Sequence, residues 1–557
     1  MSQATQAREV LAREGFRQSQ AWLHTWAGLL LVWLLYAIFL TGTVSYFKDE
    51  LDHWMHPERH GLDAGAVPNW DNVLATLQEQ APANAPSWIV QLPDARNPTL
   101  QARWFGPGIP FGRMTLDPAS GAQLKEADTQ GGEFFYRFHF QLWHLDALTG
   151  RIIVGIATMF MFVAIISGIV THKKIFKDFF TFRPRKGQRS WLDGHNVVSV
   201  LALPFHLMIT YSGLVIFILI YLPWAVQFEY GKDRELLFDE VFPHAHGEPR
   251  SGTPAPMPDL AALIRQAETH WGDGSRVGSL TLFTPGDSAA RVELRRDRSA
   301  SISGVGGGLL LDASDGRVLE EIGQLKPAAQ FNRTLVGLHL GHFAAPLLRW
   351  LYFLCGLGGC VMIASGAVLW LVKRAPPPAK AGAKTPFGHR LVQVLNVAAI
   401  AGLPLAMAAY LWANRLLAAG LEGRAAWEIH VFFAVWGLTL AHAAVRPHRR
   451  AWVEQWAGVA LLLCLLPLFE LVMGRWPLPG GLAYGDWLVA GFDAGLLGLG
   501  LLCAWLSWKI HSHRPVVRPA RAPRPEKAAP TSRAETRSEA RTDTRPETQV
   551  DALETRG

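Results

Sequence analysis

Eight apolar runs, each close to twenty residues, constrain this 557-residue chain more than any other feature. A bilayer's hydrocarbon core is about 30 Å thick, and an α-helix crosses it in about 20 residues. The runs fall at about 22–46, 150–171, 194–221, 347–371, 391–413, 426–445, 453–473 and 485–509. Half of all residues are hydrophobic and 18% are charged, which suits an α-helical polytopic membrane protein with modest extramembrane parts. The first run is long and lacks a small-residue cleavage site, so it reads as a retained span rather than a signal peptide.

Basic residues sit on alternate sides of the runs. They gather before the first (Arg8, Arg13, Arg17) and in the 173–191 loop "KKIFKDFFTFRPRKGQRSW". They gather again in the 374–389 linker, in "RPHRR" after the sixth run and in the tail. The bias toward the cytoplasmic face puts both termini in the cytoplasm of a bacterial inner membrane, with 48–138 and 222–334 outside it. The net charge of +7 is then mostly topology. Nucleic acid is a poor partner for these segments, which border spans and lack an aromatic platform. The 514–557 tail is charged and proline-containing and is expected to be disordered. Four cysteines, Cys355, Cys360, Cys464 and Cys503, all lie inside runs. No disulfide framework braces the external loops, and no C-x-x-C-H exists to attach haem covalently.

The chain contains itself twice. His24 precedes Thr41-Gly42 by 17 residues, as His195 precedes Ser212-Gly213. His144 precedes Arg151 by seven residues, and Arg151 precedes Ser167-Gly168 by 16; His342, Arg349 and Ser365-Gly366 repeat both spacings. The loops repeat too: "MTLDPASGAQLKEA" (114–127) mirrors "LLLDASDGRVLEEI" (309–322), each a strand, an Asp-and-Gly turn and a second strand. Each follows a helix-like stretch, "WDNVLATLQEQ" or "PDLAALIRQAETHW".

The expected organisation is a first span at 21–47, a small external α+β domain at 48–138 and a second span at 139–172. The second copy follows as 192–221, 222–334 and 335–373. Four helices would then form a core with approximate two-fold symmetry about the membrane normal. Residues 390–513 read as a further four-helix membrane unit with weaker chemistry.

The turns "LDPASGAQL" and "LDASDGRVL" within a helix–domain–helix repeat resemble the PepSY-associated transmembrane proteins. "FHFQLWH", "SGIVTHKK", "WLDGHNVVSVLALPFHLMITYSGL" and "LHLGHFAAPLLRWLYFL" resemble the long, iron-regulated members, in the same order over about two-thirds of the chain. That family includes inner-membrane reductases of ferric siderophores that carry b-type haem, and the resemblance implies the same activity and cofactor here. It also leaves open a peptide-binding role for the external domains.

Ionisable residues at membrane depth mark functional sites by default, and imidazole is the usual axial ligand of haem held between helices. The histidines sort into two levels, which suggests two b haems stacked across the bilayer. His24, His172 and His195 fall at the cytoplasmic ends of spans; His206, His144 and His339 belong to the outer level. His195, His206, His144 and His339 are the expected iron ligands, with His139 and His342 flanking. Arg151 and Arg349 would pair with haem propionates or snorkel to headgroups.

Spacing does not fix the pairing. His144 lies 28 residues from His172, about 42 Å along a straight helix, so either the outer haem sits among headgroups or the helix bends. Simpler roles compete: His172, before two lysines, could cap carbonyls, His24 and His195 could be symmetric caps, and His389, His430 and His442 read as interfacial or structural. Aromatics crowd the external ends (Phe134, Phe135, Tyr136, Phe138, Phe140, Trp143, Trp350, Tyr352) as an interfacial belt or the lining of a ligand site.

Walker, dinucleotide-binding and H-E-x-x-H motifs are absent. The reading is an electron conduit that draws on a quinol or a cytoplasmic reductase and reduces an external ferric chelate by outer-sphere transfer, without acid–base residues. A non-enzymatic scaffold binding a peptide or protein is the rival. A transporter is third, disfavoured by the expected lack of broken helices and midplane carboxylates.

Overall fold

Spans one and three each bend sharply once, at equivalent places in the repeat. Phe16–Leu30 meets Val32–Ser45 at 67°, and Gln188–Leu201 meets Leu203–Ile216 at 68°. The breaks, Leu31 and Ala202, both follow the first histidine of their copy by seven residues. Pro204 accounts for the second, since it removes an N–H and pushes preceding residues out of the helical region. Span one bends equally without a proline, so there the bend comes from packing. The expectation of unbroken spans is overturned.

This computed structural model describes residues 15–513 apart from 64, 173–174, 176–178, 185, 232, 376–384 and 474–485. The segment before residue 15, most of the 374–389 linker and the 514–557 tail lie outside the described residues. Six helices are long and apolar enough to cross a membrane: Ala147–Thr171, Pro346–Lys373, Phe387–Leu416, Arg424–Val445, His448–Val472 and Trp487–Ser512. With the two bent pairs the total is eight, and the chain is a multi-pass helical membrane protein.

Spans two and four begin close to their apolar runs, at Ala147 and Pro346, and so later than the wider segments 139–172 and 335–373. The helix Glu133–Gln141 ends at a turn in which Leu142 (φ 61°) and His144 (φ 62°) take left-handed backbone, and span two starts at Ala147 behind the Asp146 cap. In the second copy Pro327–Leu340 ends at Gly341 (φ 66°), and Pro346 opens span four, the usual glycine-after and proline-before punctuation. The expected continuous helices 139–172 and 335–373 are therefore each a short helix, a turn and a span. Gly150 marks the crossing in the first copy, because a Cβ there would strike the Gln141 carbonyl.

The two segments expected to fold as separate domains share one antiparallel sheet of seven strands, ordered β3-β2-β1-β4-β5-β6-β7. Strands β1 (Ser87–Gln91), β2 (Leu100–Gly106) and β3 (Ile109–Leu116) come from the first copy. Strands β4 (Val277–Phe283), β5 (Arg291–Arg296), β6 (Gly308–Asp312) and β7 (Val318–Ile322) come from the second. The copies meet where β1 pairs with β4, Ile89 opposite Thr281. Helices Trp70–Gln80 and Leu260–Trp271, capped by Asn69 and Asp259, pack into one hydrophobic core with both half-sheets through Val73, Leu77, Val90, Leu263, Leu280 and Val292. The expected strand after the first Asp-Gly turn is reduced to a single bridge, Leu116 to Gln123.

Candidate histidine sites between the spans

Two pairs of histidines meet inside the repeat, one from each copy in each pair. His24 of span one faces His195 of span three with ring centroids 6.3 Å apart. His139, on the helix before span two, faces His339, on the helix before span four, at 6.1 Å. His24 and His195 are repeat equivalents by spacing, and His139 and His339, two residues out of that register, lie over the equivalent glycines Gly42 and Gly213, so each pair straddles the same approximate two-fold axis as the β1–β4 seam.

One local device holds all four rings. The Nδ1–H of His24 donates to Ala164 O (2.8 Å), that of His139 to Ile38 O (2.7 Å) and that of His195 to Met362 O (3.0 Å). His339 Nδ1 meets the Ser212 hydroxyl at 2.9 Å, and that hydroxyl lies 3.2 Å from the Ile209 carbonyl. Each carbonyl lies four residues before the glycine of a repeated Thr/Ser-Gly dipeptide: Gly168, Gly42, Gly366 and Gly213. The imidazoles lie over those glycines. A Cβ would come within 3.1 Å of His24, 2.5 Å of His139, 3.3 Å of His195 and 3.2 Å of His339. The preceding hydroxyls of Thr41, Ser167, Ser212 and Ser365 bond back to their own helices, which makes them tolerable at this depth.

A carbonyl only accepts, and the Ser212 hydroxyl already gives its hydrogen to Met208 O, so Nδ1 carries the proton and each neutral ring keeps its lone pair on Nε2. Among the described residues no protein group hydrogen-bonds the Nε2 of His24, His139, His195 or His339. That is the arrangement of metal-ligating histidines, whose second nitrogen is anchored by a carbonyl. A first-row metal bonded at about 2.0 Å to each of two imidazoles places their ring centres about 6.2 Å apart. Both pairs have the separation of two imidazoles set on opposite sides of one such ion, and with Nε2 left unbonded the four rings are a donor set that a haem iron could use.

The pairs occupy different levels. A Cβ on Gly213, beneath His339, would lie 3.7 Å from Thr158 of span two. Gly168, beneath His24, is ten residues further along the same helix, about 15 Å.

The other expected site residues lie elsewhere. His206 is buried between spans one, three and four: its Nε2–H donates to Cys355 O at 3.3 Å, Phe39 covers it, and Nδ1 has no partner. His144, with left-handed backbone, stands parallel to His430 at 6.5 Å, exposed. Of the expected outer trio only His339 is in a pair, and His139, expected to flank, is its partner. His172 bonds Asn196, the neighbour of His195, at 2.9 Å. Arg349 is committed to Glu50 (2.7 Å), and Arg151 reaches Gln141 at 3.3 Å and lies over Phe140. His342 sits beside the charges of Asp49, Arg96 and Arg298; burial, then Arg298, pull its pKa down to about 4, so it is neutral at pH 7. Phe134, Phe135 and Phe138 are no interfacial belt. They are buried against Tyr410 and Phe432 of the C-terminal helices. The signal for His139 is the dipeptide that recurs at equivalent places in the four spans, Thr41-Gly42, Ser167-Gly168, Ser212-Gly213 and Ser365-Gly366.

The C-terminal helices brace mainly the first copy; to the second they give a hydrogen bond from Asn396 to Ala367 O of span four (3.3 Å). Trp33 donates to Asn396 (2.8 Å), Tyr36 to Ile400 O (3.2 Å) and Tyr410 to Gly131 O (3.0 Å). Buried Arg415 pairs with Glu470 at 2.7 Å, donates to Trp54 O and lies over the Trp54 ring, whose N–H reaches Asp493.

An uncharacterised Pseudomonas aeruginosa protein, PA4219, is 27% identical to this chain over 372 residues, 59% of this chain and 86% of that protein. The model of the PepSY-associated TM region matches residues 21–373, well over half the chain and the whole of the repeat. The chain belongs to the PepSY-associated transmembrane family.

Proposed function

We propose that this protein is a transmembrane electron conduit of the bacterial inner membrane, with termini in the cytoplasm, that holds two b haems and reduces a ferric siderophore or similar chelate at its sheet-bearing, periplasmic end. The observation that carries the reading is the pair of imidazole couples, each at iron-bridging separation and about 15 Å apart in level along span two. His24 with His195, and His139 with His339, would hold the irons, with Nδ1 anchored by backbone or the Ser212 hydroxyl and Nε2 free to ligate. Haem bound there supplies a one-electron iron couple of tunable potential. The chain's own part is to hold four rings in fixed tautomers, to exclude water with apolar helices and to set two stations along one path. A quinol or a cytoplasmic reductase would feed the His24–His195 end, and Fe(II), released from hard oxygen donors, would leave at the other.

The bent spans favour a second reading, a transporter, because broken helices are common at transport sites. One experiment separates the conduit from both the transporter and the scaffold. The detergent-purified protein, made with ample haem, should give sharp reduced α and β bands and two b haems per chain by pyridine haemochrome. Absence of a Soret band sinks the conduit.

A further inference from the structure

We propose that Asp239, His244 and His246 form a binding site for a divalent first-row metal ion such as Zn2+, separate from the imidazole pairs. One ligand atom from each residue can be chosen so that all three lie within 4.8 Å of one another. The Asp239 carboxylate faces both rings, Oδ1 3.6 Å from His244 Nδ1 and Oδ2 3.6 Å from His246 Nε2, and the rings are 4.7 Å apart. These contacts are too long for hydrogen bonds, so the carboxylate and the two rings converge without satisfying one another; His244 turns Nδ1, which is bonded to Phe242 O, toward the carboxylate, and its Nε2 is the nitrogen left to ligate. Asp239 Oδ1 is buried and accepts no hydrogen bond. A tetrahedral ion with bonds of about 2.0–2.1 Å draws its ligands to about 3.3 Å apart, a small contraction for partly exposed side chains.

The backbone presents this cluster by construction. Asp239 ends the helix Arg234–Val241, which is tied to the His339 helix by the Lys326–Glu240 pair (2.7 Å) and by Arg333 over Phe242 (4.7 Å). The chain then crosses a face of the sheet, where Arg295 of β5 donates to Pro243 O. Ala245 plugs between Leu310 and Ile322, and its N–H reaches Glu293. With Ala245 pinned inward, the residues on either side, His244 and His246, are both exposed and converge on Asp239. His244 Nδ1–H donates to Phe242 O (2.9 Å), which orients the ring and leaves Nε2 its lone pair.

Two imidazoles and one carboxylate select borderline ions over Ca2+ and Mg2+, which prefer all-oxygen shells. Three protein ligands leave at least one position open, so water or an oxygen donor of a bound chelate completes the shell. The site stands whether or not the imidazole pairs hold haem.

The test uses the full chain in detergent, stripped with chelator and titrated with Zn2+ against a chromophoric competitor. The intact protein should bind one Zn2+ more than H244A/H246A, and D239N should weaken that ion at least the roughly tenfold seen when a supporting residue of a metal site is lost. Mg2+ should not compete. Mass spectrometry after diethyl pyrocarbonate treatment localises the ion independently of any variant: Zn2+ should protect His244 and His246 while exposed His270 stays reactive. Equal Zn2+ binding by intact protein and double variant, or no protection of these two histidines, overturns the proposal.

Discussion

The two copies of the repeat hold the same four-helix device in opposite ways. The second copy bonds its imidazoles from within: Ser365 and Ser212 add hydroxyl bonds at 3.1 and 2.9 Å to His195 and His339. In the first copy Thr41 and Ser167 bond only their own helix, and His24 and His139 rest on a carbonyl alone. That copy is braced from outside, where the C-terminal helices bury Phe134, Phe135 and Trp54 and bond Trp33 and Tyr36. What is kept lies at the two-fold axis: the imidazole couples, the glycines beneath them and the β1–β4 seam. Away from the axis the copies diverge, as at His206, whose equivalent in span one is Leu35.

The largest expected effect breaks the axis itself. On the proposed function, alanine at His139 or His339 removes one haem per chain and alanine at His24 or His195 the other, counted by pyridine haemochrome. His206→Leu, which copies the first half into the second, should keep both; loss of a haem there would return His206 to the ligand set. The next effect removes the external brace. Arg415→Ala strands Glu470 at a site where the pair is 1% and 3% exposed, and loss of one partner of a buried pair costs about 3–5 kcal/mol. Thermal unfolding in detergent should report it.

Gly42→Ala and Gly213→Ala compare the copies directly. A new Cβ would lie 2.5 Å from His139 but 3.2 Å from His339, so the first should displace its ring and depress occupancy of the outer site more than the second. Equal losses would mean that the rings, not the glycines, set the spacing.

Smaller still is an acid effect confined to the first half. Burial raises the Glu126 pKa, but the hydrogen bonds and charge of Arg59, with His56 and Thr115, outweigh it and hold the carboxyl below its ordinary value. A depressed pKa contributes stability above the unfolded value, about 4.5, and loses it as pH falls through the folded one. Melting temperature should therefore drop on acidification below that point, and Glu126→Gln should flatten the drop.

Much was legible because it is local or periodic. Apolar run length located eight spans, and equal spacings exposed the repeat and paired His24 with His195 as equivalents. The Thr/Ser-Gly dipeptides were visible, though not their use, since what a glycine admits is decided by the helix beside it. His144 was a natural ligand by spacing and His139 was not. The difference is one left-handed turn, Leu142 to His144, with no glycine or proline to announce it.

By itself the sequence determined a membrane-spanning repeat with imidazoles near both ends of the bilayer, because hydropathy, charge bias and residue spacing are written along the chain. The tertiary structure alone decided which imidazoles meet, that two half-sheets close into one, and that span one bends without a proline. His24 and His195 are 171 residues apart and His139 and His339 are 200 apart. No local preference reaches across that distance. The pairing follows from packing two like copies about an axis, which brings equivalent parts of the repeat face to face.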